Sequence, residues 1–161
     1  MDTREKTIEK AAGKAGAFIN IKPRTCFQVK KYLREKGFDE EIISEVLEML
    51  KEYRYIDDME YSRMYFHYGF GKGRGLSRIR RELSEKGVAP EVMDAAYDEL
   101  DDVPDQTELA MEIGRAMVSG ADIGEMSFDE KRKLQARIGR RLMSRGFSPD
   151  IAYKVIGRLF R

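Results

Sequence analysis

The side chains able to do chemistry in this chain are chiefly cations, and they recur at a fixed spacing. Three glycines, Gly37, Gly87 and Gly146, each follow a basic residue. Counting back thirteen, nine and six places from each gives Arg24, Gln28 and Lys31, then Arg74, Arg78 and Arg81, then Lys133, Arg137 and Arg140. All but Gln28 are cationic. The i, i+4, i+7 spacing puts each set on one helix face, about 200° around from the apolar positions at 100° per residue. Such a face suits phosphates or an acidic protein surface. With the flanking Lys72 and Arg141, the candidate contact residues are Arg24, Lys31, Lys72, Arg74, Arg78, Arg81, Lys133, Arg137, Arg140 and Arg141. A charged outer helix face is ordinarily just solvated. Its threefold recurrence beside an acidic run from Glu91 to Glu112 argues for a real surface. If the units stack side by side, the stripes join into a basic ribbon.

Catalytic and cofactor chemistry finds no foothold. His67 is the only histidine and Cys26 the only cysteine, which removes an internal disulfide, cysteine-based metal sites and most nucleophile–histidine pairs. Asp57 and Asp58, with Glu60 following, read as a helix start and not as metal ligands or an acid pair. The stretch 69–75 (GFGKGRG) is no phosphate loop, because Gly71 and Lys72 are followed by Gly73 and no strand precedes them. It reads equally as a basic loop presenting Lys72 and Arg74 to a polyanion or as a plain connector. No catalytic, metal or cofactor residue emerges, so the chain reads as a binding protein without cofactors and not as an enzyme.

The elements that position these cations are helices. The stretches 33–50, 83–100 and 142–159 share one grammar: leucine, a basic residue before glycine, an apolar residue, then a helix ending on leucine. Glycine there can take the left-handed conformation that closes a helix, with the cation at the negative end of its dipole. Phe38, Val88 and Phe147 follow as apolar staples; Asp39 and Ser148 are good N-caps and Ala89 a weak one. Cys26/Val29/Leu33, Leu76/Ile79/Leu83 and Gln135/Ile138/Leu142 form the expected buried stripes.

A leading helix precedes each pair. The first runs from about Arg4 to Phe18 and contains Gly13 and Gly16. The second opens at Asp57, and the glycine-rich stretch from Gly69 to Gly75 breaks it; the third opens at Asp105. Tyr61, Tyr65 and Tyr68 fall at the same offsets as Leu109, Ile113 and Ala116 and read as core positions. Tyr53 and Phe66 fall off that stripe and stay open between packing and base stacking. Ser119 to Ser127 reads as a longer connector. The result is an all-α chain of tandem three-helix repeats, about nine helices, with units at 1–56, 57–103 and 104–161.

The chain has 161 residues, 37% of them charged, with a net charge of only +1, so distribution and not total charge favours a polyanion. A charged N-terminus and the lack of a long apolar run predict a soluble, cytoplasmic protein without a membrane partner.

Pro23-Arg24-Thr25 ahead of a helix ending Lys36-Gly37-Phe38, then Tyr55-Ile56-Asp57-Asp58, Tyr61, Tyr65, Gly75, Arg78-Ile79, Glu82-Leu83 and Lys86-Gly87-Val88, resembles the RecX family. The third unit resembles that family's more variable C-terminal repeat. The glycine-rich loop, the 119–127 connector and Cys26-Phe27 depart from its usual pattern. The resemblance implies three-helix repeats stacked into an elongated, curved array. It implies a regulator, usually an inhibitor, of the RecA recombinase, acting in homologous recombination, DNA repair and the SOS response; the chain itself is expected to be a monomer. Such a protein lodges in the groove of the RecA–DNA filament and impedes ATP hydrolysis, filament growth and strand exchange. The partners so implied are the RecA nucleoprotein filament and, directly, single- and double-stranded DNA. The rival reading from the residues is a stand-alone DNA-binding repeat protein of the helix–turn–helix kind. It would need base-reading amides, and Gln28 is the only one on the stripe.

Overall fold

A computed structural model describes residues 2–161, and among them the chain is all helical. The order is α1 (Thr3–Ile21), α2 (Cys26–Glu35), α3 (Glu40–Glu52), α4 (Asp58–Gly71), α5 (Leu76–Glu85), α6 (Pro90–Asp98), α7 (Gln106–Val118), a 3₁₀ turn (Ile123–Glu125), α8 (Phe128–Ser144) and α9 (Pro149–Leu159).

The elbows between α2 and α3, α5 and α6, and α8 and α9 are built alike. Gly37, Gly87 and Gly146 have φ of 87°, 85° and 98°. Each glycine N–H donates to the carbonyl three residues back (Arg34, Ser84, Met143). The next N–H, from Phe38, Val88 or Phe147, donates five residues back to Leu33, Leu83 or Leu142. That pair of bonds is the Schellman closure, which satisfies carbonyls the helix end would otherwise leave bare. The α3 end closes in the same way through Arg54 N to Lys51 O and Tyr55 N to Leu50 O, with Arg54 itself at φ 59°.

Two compact units make up the chain: residues up to Met64 with Leu83–Glu99, and Tyr65–Glu82 with Leu100–Arg161, so the division falls inside α4 and α5. In the first, Ala11 and Ala15 of α1 pack with Val29 and Leu33 of α2 and with Ile43, Val46 and Leu50 of α3. In the second, Ala110 and Met111 of α7 pack with Leu134, Ile138 and Leu142 of α8 and with Ala152 and Val155 of α9. Each large side chain fully buried in these cores contributes roughly 1.5–3 kcal/mol.

In each unit the start of one helix docks on an elbow. In the first, Thr25, which is fully buried, donates through Oγ1 to the Lys86 carbonyl at 2.6 Å and accepts from Gln28 N, while Gln28 Oε1 accepts from Thr25 N. In the second, Gly75 N donates to the Arg145 carbonyl at 2.7 Å and Ser77 N to the Gly146 carbonyl at 3.2 Å. Gln106 Oε1 accepts from Leu76 N at the same helix start. Gly75 must be glycine: a Cβ there would lie 2.5 Å from the Gly146 carbonyl carbon and 2.8 Å from Phe147 N.

Several expected faces shift by a residue. In α4 the buried positions are Ser62, Phe66, Gly69 and Phe70, whereas Tyr61 and Tyr65 are half-buried and Tyr68 is half exposed. Phe66 is fully buried, which settles that position as packing. In α7 the buried set is Ala110, Met111 and Gly114; Leu109 and Ile113 pack at its margin and Ala116 is exposed. In α8 it is Leu134, not Gln135, that joins Ile138 and Leu142. The helix break expected at Gly69 comes later, since α4 runs through Gly71 and closes on Gly73 at φ 73°. Asp39 has the extended backbone of an N-cap but makes no side-chain cap bond, while Ser148 accepts from Ile151 N. The 119–127 connector holds the 3₁₀ turn.

Candidate functional site

The cations converge in the second unit, where the α4–α5 turn meets the end of α8. Lys72, Arg74, Arg78, Arg141, Ser144 and Arg145 line an open cleft of about 430 Å³. The main chain places them. The Gly75–Arg145 and Ser77–Gly146 hydrogen bonds bring the start of α5 onto the α8–α9 elbow, and Arg145 Nη1 donates to the Lys72 carbonyl at 3.0 Å. Two of the five cations share one carboxylate: Glu82 Oε1 lies 3.5 Å from Arg74 Nη1 and 3.6 Å from Arg78 Nε. Like charges gathered this closely repel unless an anion joins them, and their summed field attracts one.

Tyr68 stands beside this cleft. Arg74 Cζ lies 5.2 Å and Lys72 Nζ 5.8 Å from its ring centroid, and the Tyr65 ring is 5.8 Å away at a 46° tilt.

The other candidates sit differently. Lys133, Arg137 and Arg140 are exposed on α8, as is Arg81 on α5, away from the buried stripe as expected, but none lines the cleft. Lys31 is exposed on α2 in the first unit, beside Phe27, Lys30 and Arg34. Arg24 has a structural occupation: its guanidinium stacks 3.8 Å from the Phe18 ring centroid and donates to the Phe18 carbonyl. Phe18 stacks in turn on Tyr32 at 4.1 Å, so Arg24 ties the end of α1 to α2. Arg145 and Tyr68 were not among the sequence candidates. Arg145 was legible only as the basic residue of its elbow, and only the docking of α5 on that elbow makes it a lining residue.

Asp57 and Asp58 divide their work. Asp57 Oδ1 accepts from Glu60 N and caps α4, while Asp58 Oδ1 accepts from Cys26 N at 2.8 Å and caps α2. Burial pushes the Asp58 carboxyl above its ordinary value against the lowering by that amide and by Lys51; burial likewise raises the Cys26 thiol. A raised thiol pKa leaves little thiolate at neutral pH, so Cys26 lies on the unreactive side of cysteine chemistry.

Two family models match the chain: the first three-helix domain of RecX over residues 14–50 and the second over residues 57–96. The regulatory protein RecX of Bacillus licheniformis is 30% identical over 145 residues, 89% of this chain and 53% of that protein. That of Lactobacillus johnsonii is 26% identical over 148 residues, 90% of this chain and 52% of that protein. The chain thus spans about half the length of these relatives. The RecX of Clostridium tetani is 28% identical over 155 residues, 96% of this chain and 69% of the relative. The crystal structure of RecX from Lactobacillus salivarius superposes with a TM-score of 0.80 at 25% identity, covering 96% of this chain and 97% of that one. With consecutive RecX domains in register on the helices described above, this chain belongs to the RecX family.

Proposed function

We propose that this protein regulates the RecA recombinase as an inhibitor, seating in the groove of the RecA–DNA filament and impeding ATP hydrolysis, filament growth and strand exchange. The observation that carries the reading is the clustering of Lys72, Arg74, Arg78, Arg141 and Arg145 in one open cleft on a RecX-family chain. A filament groove offers DNA phosphates and acidic protein surface together, and either would relieve the crowding of positive charge. The units 1–56, 57–103 and 104–161 are proposed as its three repeats, acting as a monomer.

Titration of the protein into DNA-stimulated ATP hydrolysis by RecA tests the reading. Hydrolysis falls with added protein, and Lys72→Glu with Arg141→Glu removes the effect while helicity by circular dichroism stays unchanged. Reversing Arg137 and Arg140, which are exposed outside the cleft, gives a smaller loss. Hydrolysis that stays constant through a stoichiometric excess of wild-type protein rules the proposal out.

A further inference from the structure

The cleft and Tyr68 together have a composition that neither has alone. Arg24 over Phe18 shows what a closed cation–ring stack looks like in this protein, at 3.8 Å. Arg74 and Lys72 stand 5.2 and 5.8 Å from the Tyr68 centroid, and 50% of Tyr68 remains exposed. Both cations therefore lie over the ring at long range, and neither closes on it as Arg24 does on Phe18, so half of the side chain stays open to solvent. The same Arg74 and Lys72 line the cleft with Arg78, Arg141 and Arg145. A large exposed aromatic surface is costly in water unless something covers it, and an unstacked base carries its own phosphate within reach of neighbouring cations.

The geometry points to Tyr68 as a stacking platform for an unpaired base, with the flanking phosphate held among Lys72, Arg74, Arg78, Arg141 and Arg145, so that this face takes single-stranded nucleic acid. A duplex keeps its base faces stacked and offers the ring nothing. An acidic peptide would satisfy the cations but leave the ring uncovered, which is why the single strand is the better occupant. The inference deepens the RecA–DNA reading by naming the strand chemistry and the residue that selects it, yet its test needs no RecA.

The test is fluorescence anisotropy with the full chain at about 0.1 M salt. The probes are a labelled oligothymidine of about 20 nucleotides, an abasic strand of the same length, and a duplex. Wild type binds oligothymidine more tightly than the abasic strand or the duplex. Tyr68→Ala weakens oligothymidine binding about tenfold and leaves the abasic strand within about twofold, while Tyr68→Phe binds as wild type. Arg141→Glu weakens binding to both strands and flattens the salt dependence. Equal effects of Tyr68→Ala on the oligothymidine and abasic strands would overturn the inference, as would polyglutamate competing as well as oligothymidine. If Tyr68 behaves as stated and RecA hydrolysis is untouched, only the regulatory reading falls. If hydrolysis is inhibited and Tyr68→Ala binds oligothymidine normally, only the stacking falls.

Discussion

Replacing Gly75 with alanine should weaken the second unit by about 3 kcal/mol, although the side chain gained is a single methyl. The added carbon would sit 2.5 Å from the Gly146 carbonyl carbon and 2.8 Å from Phe147 N, and both are main chain that cannot swing aside. Relief requires the start of α5 to lift off the α8–α9 elbow. That breaks the Gly75–Arg145 and Ser77–Gly146 hydrogen bonds. Each is worth about 1 kcal/mol net, and the buried groups left unpaired add a comparable amount. For a chain of this size the loss corresponds to a melting temperature lower by roughly 6–12 °C. Gly16→Ala supplies the internal control. It lies inside α1, where an added Cβ meets nothing within 4 Å. There the same substitution removes the entropic penalty of helical glycine and stabilises by about 0.5–1 kcal/mol. Thermal melts followed by circular dichroism read both variants, and hydrogen exchange at residues 75–79 locates the first. A Gly75→Ala protein melting within about 2 °C of wild type would refute the reasoning.

Three further outcomes are expected. Thr25→Val keeps the shape of a fully buried side chain but loses the bond to the Lys86 carbonyl and the cap on Gln28 N, costing about 2 kcal/mol in a urea melt; an unchanged midpoint speaks against it. The Asp58 carboxyl is raised above its unfolded value by burial, so its contribution is fully present below that value and is lost as pH rises through the folded one. Asp58→Asn keeps an oxygen for Cys26 N, so urea midpoints compared at about pH 3.5 and 7 should rise for the variant only at the higher pH; a gain equal at both contradicts the assignment. Cys26 should react with an aromatic disulfide reagent at about pH 8 much more slowly than free cysteine, and at the ordinary rate once unfolded in urea; rapid labelling of the folded chain counts against its burial.

The helix count and the elbows were legible because they rest on local rules: a cation, a glycine and an apolar residue in sequence leave few ways to close a helix. The buried face of α4 was not. Tyr61/Tyr65/Tyr68 and Ser62/Phe66/Phe70 both fit helical spacing, and periodicity cannot rank two adjacent apolar stripes. What decides it lies in another helix. Gly69, whose added Cβ would meet Ile79 Cγ1 at 2.5 Å, lets α5 approach on the face it shares with Phe66, and Tyr68 is left half exposed. The basic stripe was legible as a pattern and its partition was not: spacing alone made Arg24 the equivalent of Arg74. Only the neighbouring Phe18 ring shows that Arg24 fastens α1 while Arg74 borders an open cleft.

The three elbow glycines do not stand under the same constraint. Around Gly37 an added Cβ meets nothing within 4 Å, so another residue there would suffer only backbone strain, and asparagine would suffer little. At Gly87 and Gly146 the Phe27 side chain and the Arg78 main chain occupy that space, and no L-residue fits. As RecX sequences diverge, the first elbow is free to shed its glycine, whereas the two that act as seats for an incoming helix must keep theirs.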